Sequence, residues 1–128
     1  MRGQISVEFM TLVSILIVIF TVFLWSANSW DYKIIGIKTN AEAKKLSDII
    51  AFEINSAARA GDGYKRSFYL DEHPYGISDY DISVEGYSVF IDWDDKSISS
   101  NIITKNITGN VIKGWNLIEN KDGMVYVN

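Results

Sequence analysis

An apolar stretch without charge dominates the beginning of the chain. Between Phe9 and Trp30 no residue is charged, and Ile, Val, Leu, Phe, Met and Trp predominate. As an α-helix this stretch would be roughly 33 Å long, which is enough to cross the roughly 30 Å hydrocarbon core of a bilayer. Its hydroxyl groups at Thr11, Ser14 and Thr21 can donate hydrogen bonds back to the helix. The pattern predicts a membrane-spanning helix over residues 4–30.

The helical pattern continues beyond this stretch as an amphipathic segment over residues 31–60. Its apolar residues recur at helical spacing on one broad face: Ile35, Ala43, Leu46, Ile49, Ile50, Ile54, Ala57 and Ala58. We interpret Leu46, Ile50 and Ile54 as part of the core of this chain's own domain rather than as a stripe between subunits. Gly61-Asp62-Gly63 then predicts the end of the helix, because glycine is the usual left-handed C-cap.

After Tyr64 the pattern changes to a period of two, which is typical of strands. Strands are predicted at Ser67–Leu70, Tyr80–Val84, Tyr87–Trp93, Ser97–Ser99, Trp115–Glu119 and Met124–Val127. The Asp122-Gly123 pair predicts a tight turn before the last of them. The predicted fold class is α+β: a long N-terminal helix packed against a small antiparallel β-sheet of five or six strands, which occupies residues 61–128.

The charge of the chain is uneven and acidic. The formal net charge is −4, and there is no cysteine. After Ala60 the acids outnumber the bases, which disfavours nucleic acid as a partner because an acidic domain repels phosphate. Without cysteine the chain has no disulfide and no thiolate metal site, so packing alone must hold the outer domain together.

No recognisable catalytic or metal motif is present. The chain has one histidine, His73, in a polar loop, and no nucleophile motif accompanies it. Asp92, Asp94 and Asp95 lack the framework of a dedicated calcium loop. There is likewise no glycine-rich phosphate loop, zinc motif or pair of carboxylates in a cleft. We therefore expect no enzymatic activity, cofactor or metal site.

The residues before the apolar stretch carry an unusual charge. Met1-Arg2-Gly3 is a very short basic segment, and Gln4-Ile5-Ser6-Val7-Glu8 follows it. Glu8 lies one turn into the apolar segment, where an unpaired charge costs several kcal/mol and is a functional candidate by default. It could equally be an interfacial residue that the helix N-terminus stabilises. The physical argument alone leaves both interpretations open.

This Gly-Gln-x-Ser-x-Glu sequence before a long apolar helix resembles the class III signal peptide of archaeal type IV pilins that begin with Gln. The resemblance implies that a prepilin peptidase cuts between Gly3 and Gln4, so that residues 1–3 are a leader and the helix is retained. It further implies that Glu8 neutralises the new α-amino group at Gln4 of a neighbouring subunit. One departure is that the leader has a single Arg, where many relatives have more Lys or Arg.

The C-terminal half is also similar to this family, in the hairpin of residues 80–93 and in the Asn106-Ile-Thr-Gly109 and Lys113-Gly114-Trp115-Asn116 segments. The resemblance implies a structural pilus subunit for surface adhesion, with its domain outside the cell. A prepilin first sits in the membrane and then polymerises into a helical homo-oligomer. Its implied partners are the prepilin peptidase, an assembly ATPase and a membrane platform protein.

Asn106-Ile107-Thr108 is the one Asn-x-Ser/Thr sequon of the chain, in a segment that reads as a loop. Because archaeal surface filaments are frequently N-glycosylated, the resemblance favours Asn106 as a glycosylation site. An unmodified loop asparagine is the alternative.

Two other functions remain open at this point. A conventional secretory signal with a cut after Ser29 would release a soluble domain, although the long apolar run and Glu8 disfavour it. The chain could instead be a single-span surface binding protein or a minor tip pilin. Such a module would be expected to gather exposed aromatic residues in one groove, with Tyr64, Tyr75, Tyr80 and Tyr87 as candidates.

Overall fold

The chain is divided into two compact units. The computed structural model describes residues 2–128, apart from the side chains of Arg2 and Ser29. One unit extends to Gly36, and the other comprises Ile37–Asn128. Met1, which begins the predicted leader, lies outside the described residues.

A single helix, α1, extends over Arg2–Ala60. The continuous helix through Ala60 is therefore confirmed, and the two predicted leader residues that the structure describes, Arg2 and Gly3, are helical. Proline is absent from the whole segment, so no backbone donor is lost inside it. The helix ends as predicted at Gly61, which has a φ of 80° and donates a 3.3 Å hydrogen bond from its amide to the carbonyl oxygen of Ala57.

The second unit contains seven strands in two sheets. They are β1 (Lys65–Leu70), β2 (Asp81–Glu85), β3 (Ser88–Trp93), β4 (Lys96–Asn101), β5 (Ile107–Gly109), β6 (Gly114–Lys121) and β7 (Met124–Val127). A four-stranded sheet has the order β1-β6-β7-β5, and a three-stranded sheet has the order β2-β3-β4. The α+β class is confirmed, and all six predicted strands are present with small shifts at their ends.

Strand β5 is where the structure differs from the prediction of five or six antiparallel strands. Ile107–Gly109 pairs in parallel with Val125–Val127, whereas the other strand pairs are antiparallel. Three residues are too few to show a period of two. The pairing partner lies in β7, beyond the intervening β6, so no local turn signal announces it.

Residues from α1 and from the inward faces of both sheets form one hydrophobic core. Leu46, Ile50 and Ile54 are buried, which confirms that they belong to the core of their own domain. On the predicted apolar face Ile49 and Ala58 are half-buried against this core. Ile35, on the same predicted apolar face, is 47% exposed and belongs to the first unit.

The inner face of β6 also holds two buried asparagines, which sequence periodicity did not identify as core residues. Asn116 and Asn120 are almost completely buried. The Asn116 amide donates to the carbonyl oxygens of Ile112 (2.7 Å) and Gly114 (3.1 Å), and its oxygen accepts from the amide of Ile112 (2.8 Å). Burying a polar group is costly unless it is hydrogen-bonded, and here backbone groups of Ile112, before β6, and of Gly114, at its start, are the partners.

Candidate functional site

The predicted cleavage position lies at the start of α1. Gly3 and Gln4 are both exposed, and the space where a side chain would stand at Gly3 is open, with no atom within 4 Å. Both residues are accessible in the described first unit. An enzyme could reach this bond without competing with packed side chains, although the local helix would have to open for an extended peptide to enter an active site.

Glu8 is exposed on the same helix. Among the side chains that the structure describes, none forms a hydrogen bond or a salt bridge with its carboxylate. Its neighbours on the helix surface are apolar: Val7, Leu12, Ile15 and Leu16 line a shallow groove beside Glu8 and Thr11. The carboxylate thus lies at the edge of an apolar surface, and none of the described side chains is a partner for its charge.

The apolar surface beyond Glu8 is almost wholly uncovered. α1 includes a window with a mean hydropathy of 2.6, none of which is buried within the chain. By length and composition this is a helix that can cross a membrane, and an N-terminal signal sequence has the same character. Exposing such a surface to water is unfavourable.

Three hydroxyl groups of this helix, those of Thr11, Ser14 and Thr21, are satisfied internally, as predicted. Thr11 donates to the carbonyl oxygen of Val7 at 2.9 Å, Ser14 to that of Met10 at 2.8 Å, and Thr21 to that of Ile17 at 2.8 Å. These bonds lower the cost of placing hydroxyls in an apolar environment. Glu8 therefore differs from Thr11, Ser14 and Thr21, whose hydroxyl groups are already paired within the helix.

Asn106 lies in the irregular segment directly before β5, and its side chain is exposed. The amide of Asn106 donates to Thr104 Oγ1 at 3.0 Å, and its carbonyl oxygen accepts from the amide of Val125 at 3.0 Å. Thr108 is exposed on β5. The prediction of a loop holds for Asn106 itself, but the other two sequon residues belong to a strand that was missed. Access to the asparagine side chain is open.

The tyrosines considered for a binding groove do not share one exposed surface. Tyr80 is 2% exposed, and its hydroxyl donates to the carbonyl oxygen of Asp71 at 2.5 Å. Burial, together with the nearby Asp71 and Glu72, raises the pKa of Tyr80 to about 12. Tyr64 is half-buried against the core, whereas Tyr75 and Tyr87 are exposed. The expectation of an exposed Tyr80 is wrong, because apolar alternation placed it in the core.

Exposed aromatic residues that the sequence analysis did not single out lie elsewhere in the second unit. Tyr69 and Trp115 are opposite each other in β1 and β6, and their rings are in an edge-to-face arrangement with centroids 5.4 Å apart. Phe52 is 61% exposed on the outer side of α1. The period-two pattern of β1 and β6 could have located Tyr69 and Trp115 on an outward face. The helical spacing of Phe52 from the charged residues Lys45 and Arg59, seven positions away on either side, could have located Phe52 on the outer side of α1.

The carboxylates and the histidine do not form a metal site in the part of the chain that the structure describes. No group of three or more His, Asp or Glu side chains there could hold a metal ion. His73 is exposed, and its backbone amide donates to Asp71 Oδ1 at 2.9 Å. Asp79 pairs with Lys113, and the hydrogen bond from Lys113 lowers the pKa of this carboxyl.

No family model matches this chain, and neither a curated protein nor a solved structure shows significant similarity to it.

Proposed function

We propose that this chain is a structural subunit of an archaeal type IV-like pilus. In this proposal the chain is made as a membrane-inserted prepilin, cut between Gly3 and Gln4, and polymerised through its apolar helix into a surface filament for adhesion. The observation that carries the proposal is the unpaired carboxylate of Glu8 on an uncovered apolar helix, at the fifth residue after the bond to be cut.

The mechanism uses charge pairing in an environment without water. Cleavage creates a cationic α-amino group at Gln4 where none existed before. Glu8 of one subunit pairs with that amino group on another as both leave the headgroup region. A buried ion pair that loses one partner is destabilised by about 3–5 kcal/mol, so subunits in the wrong register, or uncut ones, are rejected. The pair thus selects processed subunits.

The covered and uncovered surfaces of the chain are consistent with a filament core made of helices and an outer surface made of β-rich units. The apolar part of α1 would leave lipid for a bundle of identical helices, where van der Waals packing replaces lipid contacts. The acidic β-rich unit would remain in water outside the cell. The prepilin peptidase, an assembly ATPase and a membrane platform protein are the partners that this route requires.

A single-span surface binding protein or minor tip pilin is the second candidate. The exposed Tyr69–Trp115 pair favours it, because exposed aromatic rings are common contact residues at binding surfaces. Such a protein would be found in the membrane or only at filament ends.

The decisive experiment determines the N-terminal residue and the location of the chain in its native host. Filaments sheared from cells are analysed by intact mass and terminal peptide sequencing. We expect the chain as a main filament component that begins at Gln4. An uncut Met1 in the membrane fraction would support the single-span protein, and a start at Trp30 in the medium would support a secreted domain. Either result would overturn the pilus proposal.

A further inference from the structure

Two oppositely charged faces of the second unit have the same arrangement, an aromatic residue between charged ones. The first, which we call the cationic face, consists of Lys45, Phe52 and Arg59 on α1. Successive members are seven positions apart, so each is displaced by only about 20° around the helix axis from the one before it. All three are exposed, and they face away from the buried residues Ile50 and Ile54.

The second, which we call the acidic face, is the outward side of the three-stranded sheet. Its charged members are Asp81, Glu85 and Asp92, and its central apolar member is Phe90. In the strand register Asp81 is directly opposite Asp92, Ser83 is opposite Phe90, and Glu85 is opposite Ser88. Val89 and Ile91 point to the core on the other side of the same strand. Phe90 therefore has carboxylates on both sides along the strand direction.

The charges on both faces lack internal partners. In the described part of the chain, none of Asp81, Glu85 and Asp92 forms a salt bridge, and neither Lys45 nor Arg59 does. Like charges directly opposite each other in a sheet are destabilising. The Asp81–Asp92 pair is therefore a cost to the isolated chain that cations from outside would relieve.

The spacings of the two faces are compatible. Seven helical residues place Lys45 and Arg59 about 10.5 Å to either side of Phe52. Two strand residues place Asp92 and Ser88, with Glu85 opposite, about 6.8 Å to either side of Phe90. The long, flexible side chains of Lys45 and Arg59 can bend toward Phe52 and so bridge the difference between these two distances, while their apolar stems cover apolar surface.

We propose that the cationic face of one subunit docks on the acidic face of a second copy of this chain. Phe52 packs against Phe90 at the centre, and Lys45 and Arg59 pair with the carboxylates around it. This is the usual anatomy of an interface, an apolar centre within a polar rim. A second copy is the occupant because each face supplies the complement of the other within one sequence.

The contact is heterologous, because two different surfaces meet. A heterologous contact that does not close into a ring continues indefinitely and builds a filament. The inference rests on the proposed pilus function for its setting, and it adds a contact between outer units to the packing of the apolar helices. It also assigns a use to the acidic surface.

Cross-linking on whole cells tests this contact, and because the chain has no natural cysteine, only introduced cysteines can link its copies. One cysteine is introduced by Ser56→Cys, because Ser56 lies one helical turn from Phe52. The other is introduced by Ser99→Cys, because Ser99 on β4 is directly opposite Phe90. With both cysteines in the full-length chain, a short bismaleimide should give a ladder of dimers, trimers and larger species. Each single variant should give no ladder.

The matched control replaces Ser99→Cys by Ser67→Cys, which is exposed on the outer side of β1, next to the Tyr69–Trp115 pair. We expect no ladder from Ser56→Cys with Ser67→Cys. A ladder from this pair and none from the first would overturn the proposal and make the aromatic face of the four-stranded sheet the docking surface.

Charge exchange tests the ion pairs. Lys45→Glu with Arg59→Glu should lower the ladder yield about tenfold, and adding Asp81→Lys with Asp92→Lys should restore it. Asp81→Asn with Asp92→Asn removes two carboxylates that Lys45 and Arg59 would bind, so it should lower the ladder yield. It also removes the repulsion between the two carboxylates, so it should not destabilise the fold. An unchanged yield in these neutral variants would overturn the proposal.

The outcomes separate this inference from the pilus function. Sheared filaments that contain the chain but give no ladder would overturn the docking contact and leave the pilus function intact. A ladder on cells whose chain is absent from sheared filaments would support the contact and overturn the pilus function.

Discussion

The side-chain amide of Asn120 donates a 2.9 Å hydrogen bond to the carbonyl oxygen of Ala57, although 63 positions separate them in sequence. The backbone of Asn120 also bonds to Gly63 (3.0 Å) and Tyr64 (2.9 Å), and its side-chain oxygen accepts from the amide of Gly123. One buried residue of β6 thereby joins the end of α1, the segment that leads into β1 and the closing hairpin.

Asn120→Ala should lower the free energy of unfolding of the second unit by about 2 kcal/mol, because buried partners are left without their hydrogen bonds. Asn110→Ala, at an exposed position, is the control and should change stability by less than about 0.5 kcal/mol. Urea unfolding of the full-length chain in detergent, followed by near-ultraviolet circular dichroism, measures both. Equal losses in the two variants would contradict the role of Asn120.

Glu8→Ala should abolish filaments while the amount of full-length chain in the membrane stays unchanged. The reason is that the amino group of the neighbour would be buried without a partner, at about 3–5 kcal/mol per contact. Glu8→Gln should be similarly defective, because it keeps the size and loses the charge. Thr11→Ala is the control, since its hydroxyl is already bonded to Val7. Filaments counted by electron microscopy at normal number in Glu8→Ala cells would refute the mechanism.

Asp48 should give the second unit a pH-dependent contribution to stability. The hydrogen bond from Ser100 at 2.5 Å, with help from Lys44 and against partial burial, lowers the pKa of the Asp48 carboxyl below 3.8. A lowered folded-state pKa means that the contribution is present above pH 3.8 and is lost as the pH falls through the folded value. It is under about 1 kcal/mol, because the carboxylate is more than half exposed.

Ser100→Ala should therefore destabilise the unit more at neutral pH than below pH 3.8. The same comparison in an Asp48→Asn background should show a smaller dependence on pH, since the titrating group is gone. Urea midpoints across the pH range measure the difference. If the effect of Ser100→Ala grows toward low pH, the assigned direction of the shift is wrong.

Gly109→Ala should destabilise the second unit by about 4 kcal/mol. Gly109 has a φ of 98°, and an added Cβ would overlap the backbone carbonyl oxygen of Val127 across the parallel β5–β7 pair. Gly86→Ala is the matched control. Its φ is also positive, at 57°, but nothing lies within 4 Å of the added carbon, so only the backbone strain of roughly 1–2 kcal/mol applies. Similar losses of thermal stability in the two variants would refute the steric argument.

If Asn106 carries a glycan, Asn106→Gln should lower the intact mass of the native protein by the mass of that glycan. Thr108→Ala should have the same effect, and Thr108→Ser should keep the modification because the sequon is preserved. Mass spectrometry of chain purified from the host distinguishes these cases. A native mass equal to that of the processed polypeptide would show that Asn106 is unmodified.

Much of the secondary structure was predictable because it depends on near neighbours in the sequence. The end of α1 at Gly61, the β2–β3 hairpin and the Asp122-Gly123 turn follow from glycine, turn residues and apolar period. The burial of Ile50 follows from the same helical spacing. For the candidate site, the polar pattern alone located Glu8 in the apolar segment but left open whether it is a functional or an interfacial residue.

The sequence by itself determined the long helix, its uncovered apolar part and the alternation of the strands, since each is set by residues within a few positions of one another. Only the tertiary structure decided that β5 pairs in parallel with β7, that Asn116 and Asn120 are core residues, and that Tyr80 is buried. It also decided that Phe52 lies among cations on the cationic face, and that Phe90 lies among carboxylates on the acidic face. These relationships join residues far apart in the chain, and they exist only once the core has brought the helix and both sheets together.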